Sequence, residues 1–323
     1  MARHLIDPAY RPFVFFVAVI LGLVLVDIGE GNILTSATAF SSLQYFSTFG
    51  LVALGLGLTM LIGEFDLSVG GLFGLGGCVA VLTGNENAWV GIACALATGL
   101  GFGLIQGLII TGFRLGSVAV TLGGLLTANG LAYVLTLNKT ITFDDIDLAL
   151  ALNEPIATVF SIRSIVALAF FAIAIVIFST MRVGRDLIAT GSDRRAAMVS
   201  GVGVDKILIS SFALSASMSA LGGALLSYGL ASASPAGLAD VLVPAIAAAI
   251  LGGVSLAGGV GTPFGLAVGV LTLSVLRSGL NALGVPPFVN SIASGTILFA
   301  VAIIDAPYLA RQLRSLGSRL RGA

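Results

Sequence analysis

Residues 163–183 read RSIVALAFFAIAIVIFSTMRV. No charge interrupts the run between Arg163 and Arg182, and about 20 such residues wound at about 1.5 Å each cross the hydrocarbon of a bilayer. Basic residues follow at once, with Arg182, Arg185, Arg194, Arg195 and Lys206 gathered in and around 184–205. An apolar run of helix length closed by arginines reads as a membrane crossing whose trailing end stays on the cytoplasmic side.

The rest of the chain repeats this pattern. Apolar side chains make up 57% of the 323 residues and charged ones 9%, where soluble domains carry about 25% charged residues. Mean hydropathy is +1.10. That charge cannot solvate a surface of this size, so lipid must, and a soluble enzyme is excluded. The length rule places spans at about 13–33, 42–62, 67–84, 88–111, 117–137, 163–183, 206–230, 239–257, 263–283 and 287–305. The chain is therefore expected to be an all-α polytopic membrane bundle of about ten helices, some discontinuous, forming one transmembrane domain over 1–323. The first run, Phe13 to Val26, continues toward Ile33 without an A-x-A cleavage site, and reads as a retained span rather than a secretory signal.

Charge orients the bundle. Arg3 and Arg11 precede the first span, and Arg311, Arg314, Arg319 and Arg321 follow the last. With 184–205 these segments belong inside, so both termini are expected in the cytoplasm after an even number of crossings. The loop 138–162 sets Asp144, Asp145, Asp147 and Glu154 against Lys139, and helix counting places it on the opposite, periplasmic face.

Other chemistries are excluded by what the chain carries. Lys and Arg total 15 against 15 Asp and Glu, so no basic field attracts nucleic acid. Cys78 and Cys94 lie in apolar runs without metal-ligand spacing and read as small core residues. His4 is the one histidine, which leaves no His-rich metal site and no Ser/His/Asp triad. A metal site, a catalytic site and a bound cofactor are not expected. GFGLIQG (101–107) sits inside a span, and no GK[ST] ending occurs, so no P-loop binds nucleotide. If ATP drives this chain, another subunit hydrolyses it.

Glycine accounts for 43 residues, much of it at four-residue spacing: Gly99, Gly103, Gly107, then Gly261, Gly265, Gly269. Small residues so spaced let helix backbones approach closely. Two segments are more specific. MLIGEFDLSVGG (60–71) sets Glu64 and Asp66 between adjacent apolar runs, and reads either as a glycine-broken helix lining water or as a tight cytoplasmic turn with two solvated acids. ILGGVSLAGGVGTPFG (250–265) reads either as a re-entrant element or as a glycine-rich turn. Arg277, costly to bury unless paired or hydrated, reads either as pathway-facing or as lying near a water boundary. Asp66, Ser68, Asn129 and Asn281 are the candidate pathway residues.

The segments EFDLSVGG (64–71), VTLGGLLTANGLAYVLT (120–136), GRDLIATGSDRRAAMVSGVGV (184–204) and AIAAAILGGVSLAGGVGTPFG…SGLNALGV (245–285) resemble, in order, the permeases of ribose-type bacterial ABC sugar importers. The resemblance implies an inner-membrane permease, paired with itself or a sister chain, that works with a cytoplasmic ABC ATPase and a periplasmic solute-binding protein. It also implies that 184–205 is the ATPase-coupling loop, with Arg185, Gly191, Arg195, Ala196, Ala197 and Gly201 as coupling candidates in an A-A-x3-G segment. Arg195 stands where the family commonly has an acid. Asn129, Leu242, Pro244 and Arg277-Ser278 also depart from family polar positions, which argues against ribose by default. The competing class is an ion-coupled secondary transporter with Glu64 and Asp66 as coupling sites.

Overall fold

The computed structural model describes residues 10–27, 31, 33–237, 240–286, 288–296 and 299. In chain order its elements are α1 (Arg11–Val26), α2 (Ser36–Leu61), α3 (Val69–Gly84), α4 (Ala88–Phe113), α5 (Ser117–Leu135), β1 (Ile141–Thr142), α6 (Ile146–Asn153), α7 (Ile162–Thr180), α8 (Arg182–Ser192), α9 (Arg194–Val199), α10 (Val204–Gly229), β2 (Ser232–Ala233), α11 (Leu242–Leu251) and α12 (Pro263–Ala282). Residues 288–296 are also helical. The fold is a polytopic helical membrane bundle, interrupted by one antiparallel pairing of β1 with β2.

Among the described residues six helices, α2, α4, α5, α7, α10 and α12, are long and apolar enough to cross a bilayer. Their bounds fall within a few residues of the expected spans. Shorter apolar helices are α3, α11 and most of α1. The expected span 239–257 contracts to α11, because Gly252 and Gly253 end the helix with a left-handed turn, Gly253 at φ +79°. The expected span 13–33 stops at Val26, where Asp27 caps α1 and its carboxylate accepts the Ile33 N–H at 2.9 Å. The terminal arginines other than Arg11, and residues 287, 297–298 and 300–305 of the last expected span, lie outside the described residues.

Helices α2 and α10 form the buried centre, flanked by α3, α11 and α12, while α4, α5 and α7 keep apolar faces outward. Leu104, Ile105, Leu108, Leu126, Val134, Ile173 and Val176 are exposed apolar residues on that perimeter, as lipid or a second membrane chain requires. The four-residue glycine pattern is used as expected. A Cβ at Gly99 would sit 2.6 Å from the Ala216 carbonyl oxygen, and one at Gly107 2.8 Å from the Ile209 Cα. α4 and α10 therefore touch backbone to backbone, which maximises dispersion contact where no hydrophobic effect drives helices together.

The two ends of the bundle are distinct. Segment 182–203 leads directly into α10, and β2 follows its far end; α10 has 26 residues, so these lie about 39 Å apart. Loop 138–162 belongs to the β2 end, where β1 pairs with β2 and the Phe143 ring packs 4.3 Å from that of Tyr228. The single Tyr228 O–H is shared between the carbonyls of Ala80 (2.9 Å) and Ala88 (3.1 Å), closing α3 and α4 against α10.

Candidate functional site

At the other end the chain between α2 and α3 does not make an ordinary turn. Gly63, at φ +74°, stops α2; its N–H bonds the Met60 carbonyl at 2.9 Å and the Glu64 N–H that of Thr59 at 3.0 Å. This is the paired C-cap that a glycine in the left-handed region permits. Regular helix resumes only at Val69. The intervening backbone is satisfied by α5: the Phe65 N–H donates to Ser117 Oγ (3.2 Å), the Leu67 N–H to Thr121 Oγ1 (3.1 Å), and Thr121 Oγ1 to the Phe65 carbonyl (3.2 Å). Irregular backbone packed inside protein needs such partners, because its N–H and C=O groups have no helical ones.

Neither acid of this connector is freely solvated, which corrects the reading of a tight turn with two solvated carboxylates. Asp66 is 0% exposed, and its Oδ1 accepts the Ser68 N–H at 3.0 Å and the Ser68 hydroxyl at 2.6 Å. Glu64 is paired with Arg194 of α9, whose guanidinium also donates to the Ile62 carbonyl at 3.3 Å. Asp66 and Ser68, both fully buried, face the protein interior rather than water.

Above the connector lies a cavity of about 420 Å³, lined by Gly70 of α3, Leu125 and Asn129 of α5, and Gly237, Asp240 and Leu242. It is large enough for a small polar solute. Of the four pathway candidates, Asn129 is at this cavity. Its amide oxygen lies 3.1 Å from where a Cβ on Gly71 would stand. Asn281 is elsewhere: its Nδ2 donates to the Tyr45 hydroxyl at 2.6 Å, and its Oδ1 accepts from Asn290 at 2.9 Å, tying α12 to α2 and to 288–296. Sequence reasoning passed over Asp240, because it fell inside an expected span. An acid among small apolar residues was the available signal.

The segment 184–205 folds as α8 and α9. α8 is amphipathic and buries Gly184, Leu187 and Thr190, leaving Arg185 exposed. Gly191 lies directly on the Leu61 carbonyl and the Gly259 N–H. Asp193 caps α9 by accepting the N–H groups of Arg195 (2.9 Å) and Ala196 (3.1 Å). Ala197 is buried in a small core with Ile62, Leu187, Leu208 and Phe212, while Arg195 and Ala196 are exposed. Gly201, at φ +85°, ends α9 with the same paired cap as Gly63, through Gly201 N–H to Met198 and Val202 N–H to Ala197. Met198 and Val199 project into solvent, Val199 at 91% exposure. Apolar side chains so exposed on a charged loop mark a contact surface, and the motif alone did not single them out.

Among the described residues, Arg163 and Arg277 sit within the bundle. Arg277 lies 5.6 Å above the Phe49 ring, a cation–π contact that offsets part of its desolvation. Arg163, not singled out from sequence, is buried at the β2 end; it donates to Asn153 Oδ1 at 2.9 Å and Thr48 Oγ1 at 3.2 Å.

The model of the family described as "Branched-chain amino acid transport system / permease component" matches residues 38–302. The ribose import permease protein RbsC of Escherichia coli K12 is 32% identical over 296 residues, covering 90% of this chain and 92% of that one. The L-arabinose transport system permease protein AraH of the same strain is 30% identical over 80% of this chain and 79% of its own. The autoinducer 2 import system permease protein LsrC of Yersinia enterocolitica is 32% identical over 87% and 77%. No solved structure matches.

Proposed function

Because this chain belongs to the branched-chain amino acid transport system permease family, we propose that it is the membrane subunit of an ABC importer for a monosaccharide or related polyhydroxylated solute. It is a multi-pass integral membrane protein and a transport component rather than an enzyme. The observation that carries the sugar reading is the likeness, over most of the chain, to permeases named for ribose, L-arabinose and autoinducer 2. An ion-coupled secondary transporter is not favoured: Glu64, one of its two coupling acids, is tied to Arg194.

In this reading about ten helices cross the bacterial inner membrane with both termini in the cytoplasm. The end bearing α8 and α9 faces a cytoplasmic ABC ATPase, and the end bearing 138–162 faces a periplasmic solute-binding protein. A second permease copy covers part of the apolar perimeter. Exposed Ala196, Met198 and Val199, flanked by Arg185 and Arg195, dock on the ATPase, and Gly191, Ala197 and Gly201 hold that surface in shape. ATP binding and hydrolysis there switch the membrane pair between outward and inward access, and solute passes the cavity beside Asn129. Asp66 and Ser68 support the wall behind it, and Asn281 holds the end of α12.

The test is uptake of labelled D-ribose, L-arabinose and D-xylose into vesicles holding the chain with its cognate ATPase and binding protein. Uptake should require ATP and both partners and survive a protonophore. Uptake driven by an ion gradient without an ATPase would overturn the proposal.

A further inference from the structure

Three separate stretches of chain meet at the α8–α9 end through glycines. A Cβ at Gly191 would lie 2.5 Å from the Gly259 nitrogen, and one at Gly258 2.7 Å from the Cα of Gly63. The Gly259 N–H donates to the Leu61 carbonyl at 2.8 Å, bonding the α11–α12 loop to the end of α2. Gly258 and Gly259 hold φ of +82° and +73°, a conformation that side chains other than glycine strain to adopt. Arg194 then fastens α9 to the connector through Glu64 and the Ile62 carbonyl. At this point nothing wider than a backbone separates the segment after α7, the α2–α3 connector and the α11–α12 loop.

Followed away from this junction, two of the three stretches lead to the cavity. The connector runs through Asp66 and Ser68 to Gly70. The loop runs back through α11 to Leu242. A Cβ on Gly70 would stand 3.5 Å from that of Leu242, and both residues line the cavity. The cavity's third wall, α5, is bonded to the same connector through Ser117 and Thr121. α11 is 10 residues long, about 15 Å of helix, and short packed elements transmit displacement because close-packed interiors do not absorb it.

We infer that the junction of Gly63, Gly191, Gly258 and Gly259, latched by Arg194 and Glu64, is the transmission between the α8–α9 segment and the cavity. Movement of α8–α9 carries the connector and α11 as one body and changes the gap between Gly70, Leu242 and Asn129. Arg194, Glu64 and Gly259 are thereby positioning residues. This rests on the assignment of α8–α9 as the ATPase-docking segment.

The experiment uses the complex with its cognate ATPase, with Cys78 and Cys94 replaced by alanine and Asn129→Cys as reporter. Labelling by a membrane-impermeant maleimide is compared without nucleotide and after trapping with ATP and vanadate. The labelling rate should change at least threefold between the two states. Glu64→Gln, Arg194→Met and Gly259→Ala should reduce that change below twofold while the ATPase still co-purifies and its basal hydrolysis persists. The exchanged pair Glu64→Arg with Arg194→Glu should restore it. An undiminished change in the single variants, with the complex intact, would overturn the transmission alone. Failure of the unaltered junction to associate with the ATPase would overturn the docking assignment and the transmission together.

Discussion

Asp66 and Ser68 close a small ring at the start of α3, one carboxylate oxygen accepting both the N–H and the hydroxyl of the serine, at 3.0 and 2.6 Å, with both residues out of contact with solvent. The ring satisfies the serine where the chain re-enters the bundle without helical partners. Asp66→Asn keeps the acceptor oxygen and should leave the purified protein folded with little change in Tm. Asp66→Ala strands two buried donors, a loss of about 2–3 kcal/mol, and should lower Tm in detergent by several degrees. Equal stability of the two variants would contradict the role given to this ring.

α4 makes a sharp positional prediction. Gly103 lies on the Phe212 carbonyl of α10, whereas Gly101 has open space where a Cβ would stand. Gly103→Leu should abolish a monodisperse peak in fluorescence-detected size exclusion, since the helices must separate. Gly101→Ala should be neutral within about 1 kcal/mol.

The exposed apolar pair on α9 is expected to act in docking and not in folding. Val199→Asp should leave Tm unchanged and weaken ATPase association at least tenfold, about 1.4 kcal/mol, by pull-down with the purified subunit. Gly201→Arg, which forces a side chain into φ +85°, should cost about 1–2 kcal/mol locally and impair transport-coupled hydrolysis.

Removing one hydroxyl at the opposite end tests the closure of α3 and α4 on α10. Tyr228→Phe retains the ring contact with Phe143 but loses the bonds to Ala80 and Ala88. Stability should fall by about 1 kcal/mol, read as a lower Tm. Binding to the ATPase should not change.

At the cavity, Asn129→Ala and Asp240→Ala should each reduce solute flux at least fivefold in reconstituted vesicles while ATPase association stays intact. Asn281→Ala, whose partners are Tyr45 and Asn290, should affect stability more than flux. Reversal of that order would move the pathway from α5 to α12.

The bundle itself was legible because lipid solvation depends on local composition, and helix length on bilayer thickness. Six long helices lie close to where apolar runs place them. The misplaced boundaries share one cause. The span expected at 239–257 ran through Asp240 and Gly252–Gly253, although 250–265 also read as a glycine-rich turn, because hydropathy averaged over a window cannot place the end of a helix at a single left-handed glycine or one acid. The four pathway candidates were drawn from polarity within apolar runs, which identifies groups needing partners without saying whether the partner is solute or protein. For Asn281 the partners are tyrosine and asparagine side chains, and for Asp66 it is the serine two residues on.

Sequence alone determined that this chain lives in lipid, which of its loops is basic, and that its helices pack on glycine, since each follows from residue type and spacing along one dimension. Tertiary structure decided which polar groups are sealed and which face a cavity, that Glu64 pairs with Arg194, and that three glycine segments far apart in the chain share one junction. Those outcomes depend on distances of a few ångströms between residues that are mostly far apart in the chain, as Glu64 and Arg194 are, and they are settled only when the backbones have packed.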